Sequence, residues 1–287
     1  MEQNAPFQLM EPDRLTASAV FNSPHSGRDY PADLIRRSRL TPLGLRASED
    51  VLVDALFAAA PEHGAPLLAA TAPRAWLDLN RAPTELDPAL IRGVRPQGLN
   101  QRIAAGLGVV PRVVAEGAQI YRGKIDLEEA EARIRTVHEP YHAMLESLLA
   151  RARDVFGIAV LFDCHSMPSE ALRAVPRVQT RCPEIVLGDR FGAAASRGLV
   201  AITQGAFEKA GFVVARNTPF SGGYITQRYG RPSRGVHAIQ IEIVRSLYLD
   251  QARLEPLPVF DEIRERLAQV IGELARITPG AAGLAAE

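Results

Sequence analysis

Two histidines, His25 and His165, and a neighbouring acidic pair, Glu49 and Asp50, are of the types that could share one divalent cation. Two neutral imidazoles and one carboxylate leave a position open on zinc for water, the arrangement of catalytic rather than structural sites. The residue types leave Glu49 and Asp50 as alternatives for the carboxylate. No His-Glu-x-x-His occurs, so spacing by itself carries little weight. Glu242 is a second candidate. In Ala238-Ile-Gln-Ile-Glu-Ile243 the apolar residues 239, 241 and 243 point one way, and Gln240 and Glu242 share the other face. On a central strand that carboxylate is partly buried and shifted towards the range of a general base; on an edge strand it is merely solvated. Asn80-Arg81 is a third, because arginine offers a planar fork that matches a substrate carboxylate bidentately.

Elements able to hold these residues are legible around them. Gly157-Ile-Ala-Val-Leu-Phe162 is a continuous apolar run, the pattern of a strand buried on both faces, and it meets Asp163, His165, Ser166 and Pro168 at its carboxyl end. Residues 19–22 run into Ser23-Pro-His25-Ser-Gly27, and 75–79 run into Asn80-Arg81. In an open α/β sheet ligands bind at that edge, so three strand ends bearing polar residues are read as one site. Further strands are expected at 66–71, 74–79, 211–215 and 235–243. A helix is expected to start at Ser48 as N-cap, with Glu49 and Asp50 in its first turn. Others are expected at 126–153, kinked by Pro140, at 190–210 and at 257–277, with a loop containing Pro176 and Pro183 and a frayed tail after Pro279. His138, Tyr141 and His142 lie in the long helix, where packing and hydrogen bonding are their expected roles. Residues 82–123 lack periodicity and are rich in Pro, Gly and Arg, which suggests a lid or binding segment.

Composition narrows the class. With 287 residues, 47% of them apolar, the chain can bury a large core, and nothing in its composition divides it, so one domain with a core over about 15–275 is expected. Lys plus Arg and Asp plus Glu balance at 33 each, which argues against nucleic-acid or anionic-membrane partners. The two cysteines, Cys164 and Cys182, are read as reduced, and there is no leader-like or membrane-length apolar run, so a soluble cytoplasmic protein is expected. A homo-oligomer is compatible with all of this.

Taken together, Ser23-Pro-His25-Ser-Gly27, Leu77-Asp-Leu-Asn-Arg81, His138-Glu-Pro-Tyr-His142, Asp163-Cys-His-Ser-Met-Pro-Ser169, Gly222-Gly-Tyr224 and Gln240-Ile-Glu-Ile-Val-Arg245 resemble the N-formylglutamate amidohydrolase family. The likeness is ordered and runs from about Val20 to Leu249. It implies an α/β, phosphorylase/hydrolase-like and zinc carboxypeptidase-like fold, a mixed, mostly parallel sheet flanked by helices. It also implies a Zn2+ cofactor held by His25, Asp50 and His165, with Glu49 as the alternative carboxylate. Asp50 is preferred because it keeps the acidic position where many relatives have an aspartate pair followed by Trp. Glu242 is implied as general base and Arg81 with Asn80 as the anchor of the substrate's α-carboxylate. Arg228 and His237 are weaker candidates for a side-chain carboxylate or an oxyanion. The implied reaction is hydrolysis of a small N-acyl amino acid, first N-formyl-L-glutamate, whose second carboxylate calls for a further cation from among Arg92, Arg95, Arg102 and Arg112. Rivals are deacylation of another acyl amino acid, carboxypeptidase-like trimming, and a non-catalytic ligand-binding relative.

Overall fold

The computed structural model describes residues 5–280 apart from 96, 97, 99, 174, 176, 178–180 and 279. The expected loop at Pro176 and the tail after Pro279 lie outside the described residues. The fold is α/β and centres on a seven-stranded sheet. Its strands are β1 (Phe7–Met10), β2 (Ala19–Ser23), β3 (Leu67–Ala70), β4 (Ala159–Met167), β5 (Ile185–Gly188), β6 (Val214–Arg216) and β7 (Val236–Val244), in the order β1-β3-β2-β4-β7-β5-β6. β4 runs parallel to β2 and to β7, β5 is parallel to β6, and β7 meets β5 antiparallel, so the sheet is mixed and mostly parallel.

The chain folds as two compact units, residues 1–8, 24–50 and 69–144 in one and 9–23, 51–68 and 145–287 in the other. In the second unit the pleat sorts the strands by chemistry. Ala19 and Phe21 of β2, Val160, Phe162 and Cys164 of β4, Ile185 and Leu187 of β5, and Ile239, Ile241 and Ile243 of β7 form one buried apolar face. Helices Val53–Leu56, Arg197–Lys209 and Phe260–Ala275 cover that face with residues such as Leu56, Phe207, Leu267 and Ile271. Each fully buried side chain of this size contributes roughly 1.5–3 kcal/mol, so the apolar face is what holds β4 and β7 in register. The alternate residues, Asn22, Asp163, His165, Gln240 and Glu242, therefore leave from the opposite face.

The first unit has its own apolar cluster. Residues 82–123 supply Leu90, Ile91, Val109, Val110, Val114, Ile120 and Tyr121 to it, packed with Leu34, Leu45, Ala130 and Ile134. Their elements are short, among them the parallel pair Ile91–Arg92 and Ile125–Asp126, which is why the segment shows no periodicity. Arg133 stacks with its guanidinium carbon 3.3 Å from the Trp76 ring centroid and donates to the Tyr121 hydroxyl at 2.8 Å.

Several boundaries differ from expectation for identifiable reasons. β4 does not stop at Phe162 but continues through Met167, because β7 pairs with it along the whole length. Residues 74–79 are a turn rather than a strand, since the Pro73 carbonyl accepts from both Trp76 N and Leu77 N. Ser48 is not an N-cap: it ends a 3-10 turn, Arg46–Ser48, and the next helix, Val53–Leu56, follows Leu52 at φ 62°. The helix expected to begin near Arg190 starts at Arg197, with Ser196 accepting from Leu199 N. The expected long helix comprises Leu127–Arg133, a π segment Ile134–His138 and Glu139–Phe156. Pro140 lacks an amide hydrogen, and the wider turn just before it absorbs that missing bond. Among the described residues no helix is long and apolar enough to cross a membrane, and Cys164 and Cys182 are both free.

Candidate active site

His25 follows β2 in a loop pinned by backbone approach. A Cβ on Gly27 would lie 2.0 Å from the Ala72 carbonyl oxygen, so only glycine fits there. The His25 carbonyl accepts from Asp50 N at 3.0 Å, which brings Asp50 Oδ2 to 3.3 Å from His25 Nδ1. On its other side His25 Nε2 donates to Asp78 Oδ1 at 2.8 Å. Asp78 is buried and is held further by Arg74 Nε at 3.0 Å and Asn80 N at 2.8 Å. Burial alone would raise the Asp78 pKa, but Arg74, His25 and Arg81 outweigh it and keep the carboxyl well below the usual range. An ionised Asp78 fixes the proton of His25 on Nε2 and leaves Nδ1 as a lone-pair donor facing Asp50.

Glu49 is committed elsewhere. Its carboxylate accepts from Arg46 Nε at 2.9 Å and Nη2 at 3.0 Å, and from the Tyr30 hydroxyl at 3.1 Å. Burial and the Glu49 charge push the Tyr30 pKa far up, so its hydroxyl stays a donor. Asp50 is thus the member of the acidic pair that faces His25.

In the second unit His165 Nε2 lies 3.0 Å from Asp163 Oδ2, two residues earlier on the same face of β4. Asp163 Oδ1 accepts from Asn22 Nδ2 at 2.7 Å across the β2–β4 pair, so the buried carboxylate is held between Asn22 and the His165 ring. Glu242 is the register partner of His165 on β7, 8% exposed, and accepts at Oε1 from Gln240 Nε2 at 2.7 Å. β7 is an interior strand, so the expectation of a buried carboxylate at 242 and of a shared face with Gln240 holds.

His25, Asp50 and His165 are all buried and each offers one ligand atom, those atoms lying within 4.8 Å of one another. Two imidazole nitrogens and one carboxylate oxygen suit a borderline cation such as zinc.

Arg81 is 9% exposed and belongs to the first unit. Its Nε donates to the Leu107 carbonyl at 3.0 Å and lies 4.0 Å from Asp78 Oδ2, and its Nη1 donates to the Asn80 carbonyl at 2.8 Å. Burial lowers the Arg81 pKa; Asp78 opposes the shift, and the charges of Arg74 and Arg102 add to it. The loop carrying Arg81 is gripped from the long helix. His138 Nε2 donates to the Arg81 carbonyl and His142 Nε2 to the Leu79 carbonyl, each at 2.9 Å, with the two rings 4.2 Å apart.

His237 leaves β7 on the apolar face, opposite to Gln240 and Glu242, and its Nδ1 accepts from Ser196 N at 3.2 Å. It therefore serves the start of helix Arg197–Lys209 instead of a ligand. Arg228 donates to the Tyr224 hydroxyl at 2.8 Å, lies 3.8 Å from Glu146 and has a 40% exposed side chain. Arg92 pairs with Asp126 and Arg112 with Asp87, each at 2.8 Å, and Arg95 and Arg102 are exposed. Sequence reasoning missed the roles of Asp78 and Asp163. Asp163 was findable from strand parity with His165, and Asp78 had no local signal.

Residues 17–249 match the profile of the N-formylglutamate amidohydrolase family. The chain belongs to that family. It is 33% identical over 251 residues to N-formylglutamate deformylase of Pseudomonas aeruginosa, covering 83% of this chain and 87% of the relative. The N-formylglutamate deformylase of Pseudomonas putida is 28% identical over 259 residues, covering 89% and 90%. Among solved structures, N-formylglutamate amidohydrolase from Ralstonia eutropha superposes with a TM-score of 0.87 at 35% identity, over 95% of this chain and 98% of that one.

Proposed function

We propose that this chain hydrolyses the amide bond of N-formyl-L-glutamate, giving formate and L-glutamate, with zinc held by His25, Asp50 and His165. The observation that carries the proposal is the convergence of those three ligand atoms within 4.8 Å. The names of its relatives, deformylases and an amidohydrolase of N-formylglutamate, supply the substrate class. A divalent cation so held supplies Lewis-acid polarisation of the acyl oxygen and makes water a competent nucleophile near neutral pH.

The chain's own residues do the rest. Arg81 takes the substrate's α-carboxylate on the outer edge of its guanidinium, with Asn80 beside it, which places the amide carbon and removes much of the entropic barrier. Glu242 accepts the proton of the attacking water and returns it to the departing amine nitrogen. Asp78 keeps His25 in one tautomer. With Arg92 and Arg112 engaged by Asp126 and Asp87, Arg95 and Arg102 remain, and Arg102 is the cation for the second carboxylate because its charge acts on Arg81. The substrate is a small molecule, and the reaction belongs to the cytoplasm.

The test is metal analysis of the purified protein followed by a panel of formyl, acetyl and succinyl derivatives of glutamate and aspartate. One zinc per chain and formate release fastest from N-formylglutamate are expected. Zinc-loaded protein that releases no acid from any of the panel would end the proposal.

A further inference from the structure

We infer that Gln240 is a positioning residue for the reaction, its side-chain amide joining the Gly222-Gly223 turn to the carboxylate of Glu242; the inference rests on Glu242 acting as the base. Gln240 is 4% exposed and stands two residues before Glu242 on the same face of β7. Both ends of its amide are used. Oε1 accepts from Gly223 N at 2.8 Å, and Nε2 donates to Glu242 Oε1 at 2.7 Å.

The first of these bonds decides the second. A backbone N–H can only be met by the amide oxygen, so the nitrogen must face Glu242. A donor fixed against Oε1 requires that oxygen to stay unprotonated, and the proton that Glu242 takes from water is thereby directed to Oε2. The pair of bonds sets both the direction of the carboxylate and the atom that exchanges the proton.

The turn that supplies the Gly223 amide is built for close approach. Gly222 has φ +120°, and a Cβ there would lie 2.5 Å from Thr226 Oγ1 and 3.0 Å from Arg190 Cγ. Thr226 Oγ1 donates back to the Gly223 carbonyl at 2.9 Å, and Arg190 N donates to the Ser221 carbonyl at 2.7 Å. The glycine pair thus acquires a purpose that its sequence does not declare: it holds an amide hydrogen where Gln240 needs one.

Two variants separate the halves of this link. Gln240→Glu keeps an oxygen for Gly223 N but replaces the amide donor with a second acid group against Glu242, while Gln240→Met removes both bonds. Both are expected to lower kcat by about 10²-fold, the cost of misplacing a reacting group by about 1 Å, with zinc content and KM close to wild type. Hydrogen exchange at the Gly223 amide should stay slow in Gln240→Glu and become fast in Gln240→Met. Gln240→Met with wild-type kcat, beside an inactive Glu242→Gln, overturns the role of Gln240 and leaves the base assignment standing. A Glu242→Gln variant that still turns over overturns both.

Discussion

His165 and Glu242 are register partners on adjacent parallel strands, so their side chains leave the sheet together on the face opposite the apolar core. The proposed ligand and the proposed base therefore owe their proximity to backbone pairing, not to a flexible loop.

Glu242→Gln is the sharpest test of that division of labour. The amide is nearly isosteric but cannot take a proton at neutral pH. Turnover should fall by about 10²–10⁴-fold, the usual contribution of general-base catalysis, while bound zinc and thermal stability are unchanged. Steady-state kinetics with metal analysis on the same preparation reads both.

His165→Ala and Asp50→Ala should each lose zinc, and Glu49→Ala should keep it, because Glu49 is consumed by Arg46 and Tyr30. Equilibrium dialysis against a zinc buffer gives the comparison. Stoichiometric metal in His165→Ala would exclude that residue as a ligand.

Arg81→Lys retains a charge but loses the two carbonyl anchors and the fork. KM should rise by about 10-fold or more, as expected for one charge-assisted hydrogen bond worth roughly 1.5–3 kcal/mol, with a smaller effect on kcat. Unchanged KM and kcat would take Arg81 out of the substrate site.

His237 yields a prediction about stability and pH. Burial lowers its pKa from 6.5, and its Nδ1 must be unprotonated to accept from Ser196 N. As pH falls below 6.5 the unfolded chain takes up a proton that the folded chain resists, so stability declines from there towards the lower folded-state value. His237→Asn, which keeps an acceptor but does not titrate, should flatten that part of the melting profile. Wild-type and variant profiles that stay parallel from pH 7.5 down to about 5 would show that His237 is protonated equally in both states.

The strands with strong patterns were legible without coordinates. The run ending at Phe162 and the alternation from Ala238 to Ile243 led to β4, to β7 and to the polar face shared by Gln240 and Glu242. What escaped was chemistry made by tertiary pairing. Ala75, Leu77 and Leu79 alternate like a strand, yet the Pro73 carbonyl captures two amides and turns the chain, which is how Asp78 reaches His25. Ser48 has the right type for a helix start, but Glu49 after it is extended with its carboxylate bonded to Arg46, and the helix waits until Val53. His138 and His142 carry no local mark of the two carbonyls they hold, 57 and 63 residues away in the chain.

The two-faced pleat of β7 also makes assembly of the machinery inseparable from folding. Deleting one residue between Val236 and Gln240 would send Gln240 and Glu242 into the layer occupied by Phe162 and Ile185, and turn isoleucines toward Asp163 and His165. Such a chain would bury two polar groups without partners at a cost of several kcal/mol. A misaligned chain would be too unstable to persist as an inert impostor, so whatever protein survives folding carries Glu242 on the polar face.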